Sequence, residues 1–129
     1  MKLKITENFY NTEFDCKDGA PYPEDWYVTR LLPLCIALET IRKSCGGHPI
    51  TITSGFRTAG HNKKVGGKKN SYHLKGKAAD IKIKGMKPSD VAKIIKGLIK
   101  RGSIPQGGIG EYKTFVHYDT RGTLVRWKA

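Results

Sequence analysis

Two short stretches of this chain hold residue types that together can bind a metal. In Ser71-Tyr72-His73-Leu74-Lys75-Gly76-Lys77-Ala78-Ala79-Asp80, an imidazole and a carboxylate stand seven positions apart across a glycine. In Phe115-Val116-His117-Tyr118-Asp119, a second imidazole and a second carboxylate stand two apart within an apolar run. Side chains alternate along an extended strand, so His117 and Asp119 are expected on one side of it. Two histidines and a carboxylate leave a fourth position open, as a catalytic rather than a structural zinc requires. Taken singly, His73 reads as a loop histidine, His117 as a satisfied core histidine and Asp80 as a turn residue. Their coincidence is what points to a metal.

The acids are distributed in the same sense. Beyond residue 40 the chain carries only Asp80, Asp90, Glu111 and Asp119 as carboxylates. Asp90 follows Pro88-Ser89 at a predicted helix start, where an acid suits the helix dipole. The other three lie in or beside apolar, β-prone runs, where an unpaired carboxylate is costly and a divalent cation would compensate it.

The elements that must position these residues follow from pattern and punctuation. Residues 1–24 read as an extended arm, with a turn at Lys17-Asp18-Gly19, breakers at Pro21 and Pro23, and Phe9, Phe14 and Tyr22 packing it onto the remainder, residues 25–129. From Asp25 to about Cys45, Val28, Leu31, Leu32, Cys35, Ile36, Leu38 and Ile41 recur at helical spacing. Pro33 suits a first turn, so the regular helix is expected to begin near Leu31 or Leu32 after an irregular segment. Pro49 to Thr53 reads as a strand, and Thr58 as the cap of a brief helix through about Val65. The loop from Gly66 to Ser71 delivers His73. Ala78 to Ile83 reads as a strand, and Pro88 to about Arg101 as an amphipathic helix closed by Gly102. Gly107–Tyr112, Phe115–Asp119 and Leu124–Trp127 are expected to form a terminal antiparallel group. The sum is a small single α+β domain with an antiparallel sheet and two main helices.

Composition sets the partners. At 129 residues the chain is of single-domain length and can bury a core. A net charge of +13 predicts attraction to a polyanion, either nucleic acid or an anionic bacterial wall polymer. Much of the excess lies in Lys63, Lys64, Lys68, Lys69, Lys75, Lys77, Lys82, Lys84 and Lys87, flanking the metal candidates. Nucleic-acid binding would call for aromatic residues interleaved as stacking platforms, and Lys63–Lys69 has none, so no specific nucleic-acid partner is expected. No apolar run is long enough for a transmembrane helix. The charged start lacks a secretory signal, and Cys16, Cys35 and Cys45 form no CxxC pair or even-numbered framework. Synthesis in a reducing cytoplasm is the expectation, with a monomer as the expected state.

With these residues laid out, the chain resembles the M15 zinc peptidases of the D-alanyl-D-alanine carboxypeptidase and endolysin type, in particular their short members, which share a fold with the hedgehog signalling domain. The matching stretches are Ile52–Thr58, His61-Asn62 with Val65–Gly67, Asn70–Asp80 in an SxHxxGxAxD pattern, Gly108–Gly110, and His117–Gly122. The arm around Glu13–Lys17 is also similar. The resemblance implies one zinc per chain on His73, Asp80 and His117, with water in the fourth place, and hydrolysis of peptide bonds by that metal-activated water. It implies that Arg57 holds a developing oxyanion or a substrate carboxylate. Where many members place an acid three residues before the last ligand, this chain has Thr114. Asp119, as base or as orienter of His117, and Glu111, in a stretch similar to hedgehog, are the two candidates for general base. A straight strand would set Glu111 roughly 20 Å from His117, so a turn at Lys113-Thr114 is required.

The expected function is therefore a peptidase acting on the stem peptides or cross-links of bacterial peptidoglycan. It would be made in the cytoplasm and reach the wall, for example by phage or prophage lysis. A non-catalytic, zinc-stabilised wall-binding or structural module is the alternative.

Overall fold

The computed structural model describes residues 1–129. Two strands, β1 (Lys4–Thr6) and β2 (Phe9–Tyr10), form a small antiparallel ribbon that opens the chain. The predicted extended arm is thus a ribbon followed by a 3-10 turn at Asn11–Phe14. Its Phe9, Phe14 and Tyr22 are buried in the same core as the rest of the chain. Buried Asn11 fixes the path, its side chain accepting from the Leu3 amide and donating to the Met1 carbonyl and the Tyr27 hydroxyl.

The approach to helix α1 (Leu32–Ser44) is irregular, a 3-10 turn at Glu24–Trp26 and a wider π turn at Tyr27–Leu31. Pro33 sits in the first turn of α1, where its missing N–H costs nothing. The wider turn changes the helical phase and leaves Val28, expected inward, 74% exposed. Ile36 also faces solvent, because the buried stripe runs through Leu34, Leu38 and Ile41. Helix α2 (Ala59–Lys64) starts at Thr58, whose hydroxyl accepts from the His61 amide. Helix α3 (Pro88–Lys100) buries Val91, Ile95, Leu98 and Ile99. It closes at Gly102, whose φ of +74° lets the Ser103 amide reach the Leu98 carbonyl.

Five strands make the main sheet: β3 (Ile50–Ser54), β4 (Ala78–Ile83), β5 (Gly108–Glu111), β6 (Val116–Asp119) and β7 (Val125–Lys128), in the order β3-β4-β6-β5-β7. All neighbours are antiparallel except β5 and β7, which run parallel. The terminal strands are therefore not an all-antiparallel group. Because β4 already occupies one edge of β6, the returning chain crosses the end of β5 and pairs on its free edge.

Alternation along these strands divides the sheet into two chemistries. Ile50, Ile52, Ala79, Ile81, Ile83, Ile109, Val116 and Tyr118 join the core with the apolar residues of α1 and α3. Asp80, Gly110, His117, Asp119 and Trp127 take the opposite face. No helix is long and apolar enough to cross a membrane.

Candidate metal centre

The polar face of the sheet meets a short loop helix. Asp80 on β4 and His117 on β6 are direct partners across the antiparallel ladder, so their side chains rise side by side. His73 comes from a 3-10 turn, Tyr72–Lys75, capped by the Ser71 hydroxyl, which accepts from the His73 amide. Gly76 ends that turn at φ +67°, and a Cβ there would lie 2.6 Å from the Tyr22 hydroxyl and 2.8 Å from Trp26. The Tyr22 hydroxyl donates to the Gly76 carbonyl at 2.6 Å. Arg30 donates to the Lys75 carbonyl at 3.0 Å while its guanidinium stacks on Trp26. The arm and the approach to α1 thus hold His73 in place from behind.

All three side chains are buried, and one donor atom from each lies within 4.8 Å of the others. His73 Nε2 is 3.1 Å and His117 Nδ1 is 3.0 Å from the same oxygen, Asp80 Oδ1. The outer ring nitrogens decide what those inner atoms are. His73 Nδ1 is 2.7 Å from the Gly55 carbonyl, which can only accept, so that nitrogen carries the proton. His117 Nε2 is 2.7 Å from Asp119 Oδ2 and donates likewise. Neutral histidines held this way aim two lone pairs at an anionic oxygen, three acceptors with no donor among them. Such a set calls for a cation, and the donors are of the types zinc takes.

Without one, the site must hold a proton. Burial pushes the His73 pKa down, and the hydrogen bond to Asp80 offsets this only in part. For His117 burial acts the same way, but hydrogen bonds to Asp119 and Asp80 outweigh it and the pKa rises. Burial alone would raise both carboxylates. Hydrogen bonds from His117 and His73 hold Asp80, and those from Arg121 and His117 hold Asp119, well below the usual carboxylate range.

Of the other predicted residues, Arg57 reaches the site. It donates to Ser54 Oγ at 3.0 Å, Asn62 Oδ1 at 3.2 Å and Asp80 Oδ2 at 3.2 Å. Asp119 is enclosed. Its Oδ1 accepts from the Gly108 amide, the Arg121 amide and Arg121 Nε, and its Oδ2 from Arg121 Nη2 and His117 Nε2. With both oxygens occupied and no exposure, it touches His117 and does not face the cleft as a base. Glu111 is the larger correction. The chain does reverse after Tyr112, as the prediction required, but Glu111 comes to lie opposite Val116 rather than His117. It therefore points to the helix-bearing face and pairs with Lys128 at 3.6 Å.

A cleft of about 350 Å³ opens over the three donors, bounded by Arg57, Lys68, Tyr72, Tyr112, Arg121 and Trp127. Asp80 is the one carboxylate in its lining. Arg121, Tyr112 and Trp127 had no assigned role in the sequence. Period two points to Arg121, which continues the His117–Asp119 face, whereas Tyr112 and Trp127 reach that face through the pairing of β5 with β6 and β7. Gly110 is small because the Trp127 indole occupies the space a Cβ would need. That indole lies 4.9 Å from the His117 ring.

The chain matches the sequence model of the Peptidase M15 family over residues 5–119. It is 38% identical over 86 residues to the probable peptidoglycan L,D-endopeptidase MepK of Haemophilus influenzae, covering 61% of this chain and 42% of that protein. Identity is 35% over 86 residues to the peptidoglycan L,D-endopeptidase MepK of Escherichia coli K12, covering 61% and 43%. The zinc D-Ala-D-Ala carboxypeptidase of Streptomyces albus G is 46% identical over 44 residues, covering 34% and 17%. The chain spans less than half the length of each of these relatives.

Proposed function

Since the chain belongs to the Peptidase M15 family, we propose that it is a zinc peptidase cutting peptide bonds in bacterial peptidoglycan, either at stem-peptide ends or at cross-links. The observation that carries this reading is the convergence of His73 Nε2 and His117 Nδ1 on one oxygen of Asp80, with both outer ring nitrogens already committed as donors. These three residues would hold the ion. A zinc ion, when bound, lowers the pKa of its water from 15.7 to about 7 and polarises a carbonyl oxygen.

The chain's own residues do the rest. The Gly55 carbonyl and Asp119 fix the tautomers of the two histidines, and such partners are worth about 10- to 100-fold in metal affinity. Arg121 keeps Asp119 anionic and aimed at His117. Arg57 lines the cleft, and the guanidinium protons that Ser54, Asn62 and Asp80 leave free suit a carboxylate or a developing oxyanion. The names of the relatives in Haemophilus influenzae and Escherichia coli support peptidoglycan as the substrate, and that of the Streptomyces albus G relative supports zinc and a D-Ala-D-Ala bond.

The basic surface supports a wall location. Residues 1–40 carry seven acids and four bases, whereas the remainder carries four acids and twenty bases. Lys63, Lys64, Lys68, Lys69 and Lys75 are exposed, and Lys68 lines the cleft. We read this face as concentrating the protein on anionic wall polymers, in a salt-sensitive way. A phage or prophage lysis enzyme, made in the cytoplasm, is compatible with the same chemistry. Loss of turbidity only after membrane permeabilisation of cells expressing it would support that origin.

One observation favours a second reading. No unengaged carboxylate lines the cleft, so the chain could be a wall-binding module that keeps zinc for stability. The test is elemental analysis of protein purified without added metal, together with mass spectrometry of peptidoglycan digested with and without chelator. About one zinc per chain with chelator-sensitive release of defined muropeptides is expected. Zinc without products selects the module, and absence of metal overturns both.

A further inference from the structure

Five tyrosine hydroxyls pack around the sheet and its approaches, and their hydrogen bonds separate them. Tyr22 and Tyr118 spend theirs on the Gly76 and Pro105 carbonyls, and Tyr27 accepts from Asn11 inside the core. Two line the cleft, Tyr72 and Tyr112. Tyr72 serves through its ring, with the Arg121 guanidinium 4.3 Å and the Lys75 ammonium 4.7 Å from its centroid, and no partner fixes its hydroxyl.

Tyr112 differs. Its ring is stacked on Phe115, with centroids 4.4 Å apart and planes 11° from parallel. Its amide donates to the Phe115 carbonyl across the turn. Trp127 Nε1 donates to its oxygen at 2.9 Å. An indole N–H can only donate, so the Tyr112 oxygen is the acceptor in that pair and its own O–H is directed elsewhere. No group of the protein accepts that proton. The same indole packs 4.9 Å from the His117 ring, so one rigid side chain relates the hydroxyl to the metal-binding set. The hydroxyl is thus a donor held in place before any ligand arrives, in a cleft whose guanidinium groups each direct part of their donors to Asp80 or Asp119.

We propose that the Tyr112 hydroxyl is a catalytic residue that donates a hydrogen bond to the substrate carbonyl oxygen as it becomes anionic. This rests on the peptidase reading above. The proton stays on Tyr112, so no acid–base step is assigned to it. A preorganised donor of this kind acts on the transition state more than on the bound substrate.

The test is Tyr112→Phe in the full chain, which keeps the stacking on Phe115 and removes the O–H donor together with the acceptor of Trp127 Nε1. Trp127→Phe, which breaks that bond and keeps the hydroxyl, is measured beside it and should show the smaller loss. With metal content equal to the parent's, kcat on peptidoglycan peptides should fall about 10²- to 10³-fold with little change in KM. Affinity for a phosphinate dipeptide, whose tetrahedral oxygens mimic the oxyanion, should fall about 10- to 100-fold by calorimetry. Unchanged turnover and unchanged phosphinate affinity overturn the proposal. A parent that cleaves nothing, yet binds the phosphinate through Tyr112, upholds the donor and removes the peptidase reading. A parent that neither cleaves nor binds the phosphinate overturns both.

Discussion

The two histidines of the centre are held by different means. His73 stands on a loop helix, its outer nitrogen bound to a backbone carbonyl, while His117 stands on an inner strand, its outer nitrogen bound to a buried carboxylate locked by Arg121. A carbonyl fixes the tautomer and adds no charge. A carboxylate fixes the tautomer and also makes the imidazole more basic, so the two halves of one site differ electrostatically. The loop half depends on contacts with the amino-terminal arm, whereas the strand half carries its own support within two to four residues.

The bluntest way to break the comparison is to remove each imidazole. His73→Ala and His117→Ala should both lose stoichiometric zinc and reduce turnover to the chelated background, as read by elemental analysis and muropeptide release. If either alone retains both, that residue is not a ligand. Asp119→Asn discriminates between the halves. It leaves Arg121 without its partner and should cost about 3–5 kcal/mol in denaturant unfolding. It should also weaken zinc affinity about 10- to 100-fold. An effect on stability without one on affinity would reduce Asp119 to a structural ion pair.

Protonation of the metal-free protein sharpens the contrast further. By NMR, His117 should titrate above the usual value near 6.5 and His73 below it. The raised value of His117 means that its stabilising contribution is fully present below pH 6.5 and is lost as pH rises through the folded value. For His73 the sign reverses: its contribution is present above pH 6.5 and is lost as pH falls through the lowered value. Two histidines titrating together would dissolve the distinction between carbonyl and carboxylate support. The smallest effect is expected from Glu111→Gln, which removes a surface pair with Lys128 worth at most about 1 kcal/mol. Its kcat should match the parent's, and a large fall would return Glu111 to the centre.

Much of this arrangement is readable in the residues themselves. Ile50 to Thr53, Ala78 to Ile83 and the stripe of α3 declare themselves by β-branching and period, and His117-x-Asp119 declares a shared strand face. What is not readable is long-range. Whether β7 runs with or against β5 depends on which sheet edge is free, and no local pattern encodes that. The face taken by Glu111 depends on the parity of a four-residue turn, so a glutamate close in sequence to His117 ends on the opposite side. Arg121 stands on the same readable strand face, but its pairing with Asp119 depends on the burial of that acid, which is set only once β4, β5 and β6 are paired.

The hydrogen bond from Tyr22 to Gly76 also bears on the order of assembly. It joins residues 54 apart in sequence, so the loop helix of His73 is ordered only after a long segment has closed and its entropy has been offset. Strand pairing between Asp80 and His117 likewise spans 37 residues. A centre built from such distant contacts is expected to form late, since loop closure must precede them. Metal added during refolding should therefore slow unfolding while leaving the folding rate nearly unchanged, acting as a latch on a finished structure rather than as its nucleus.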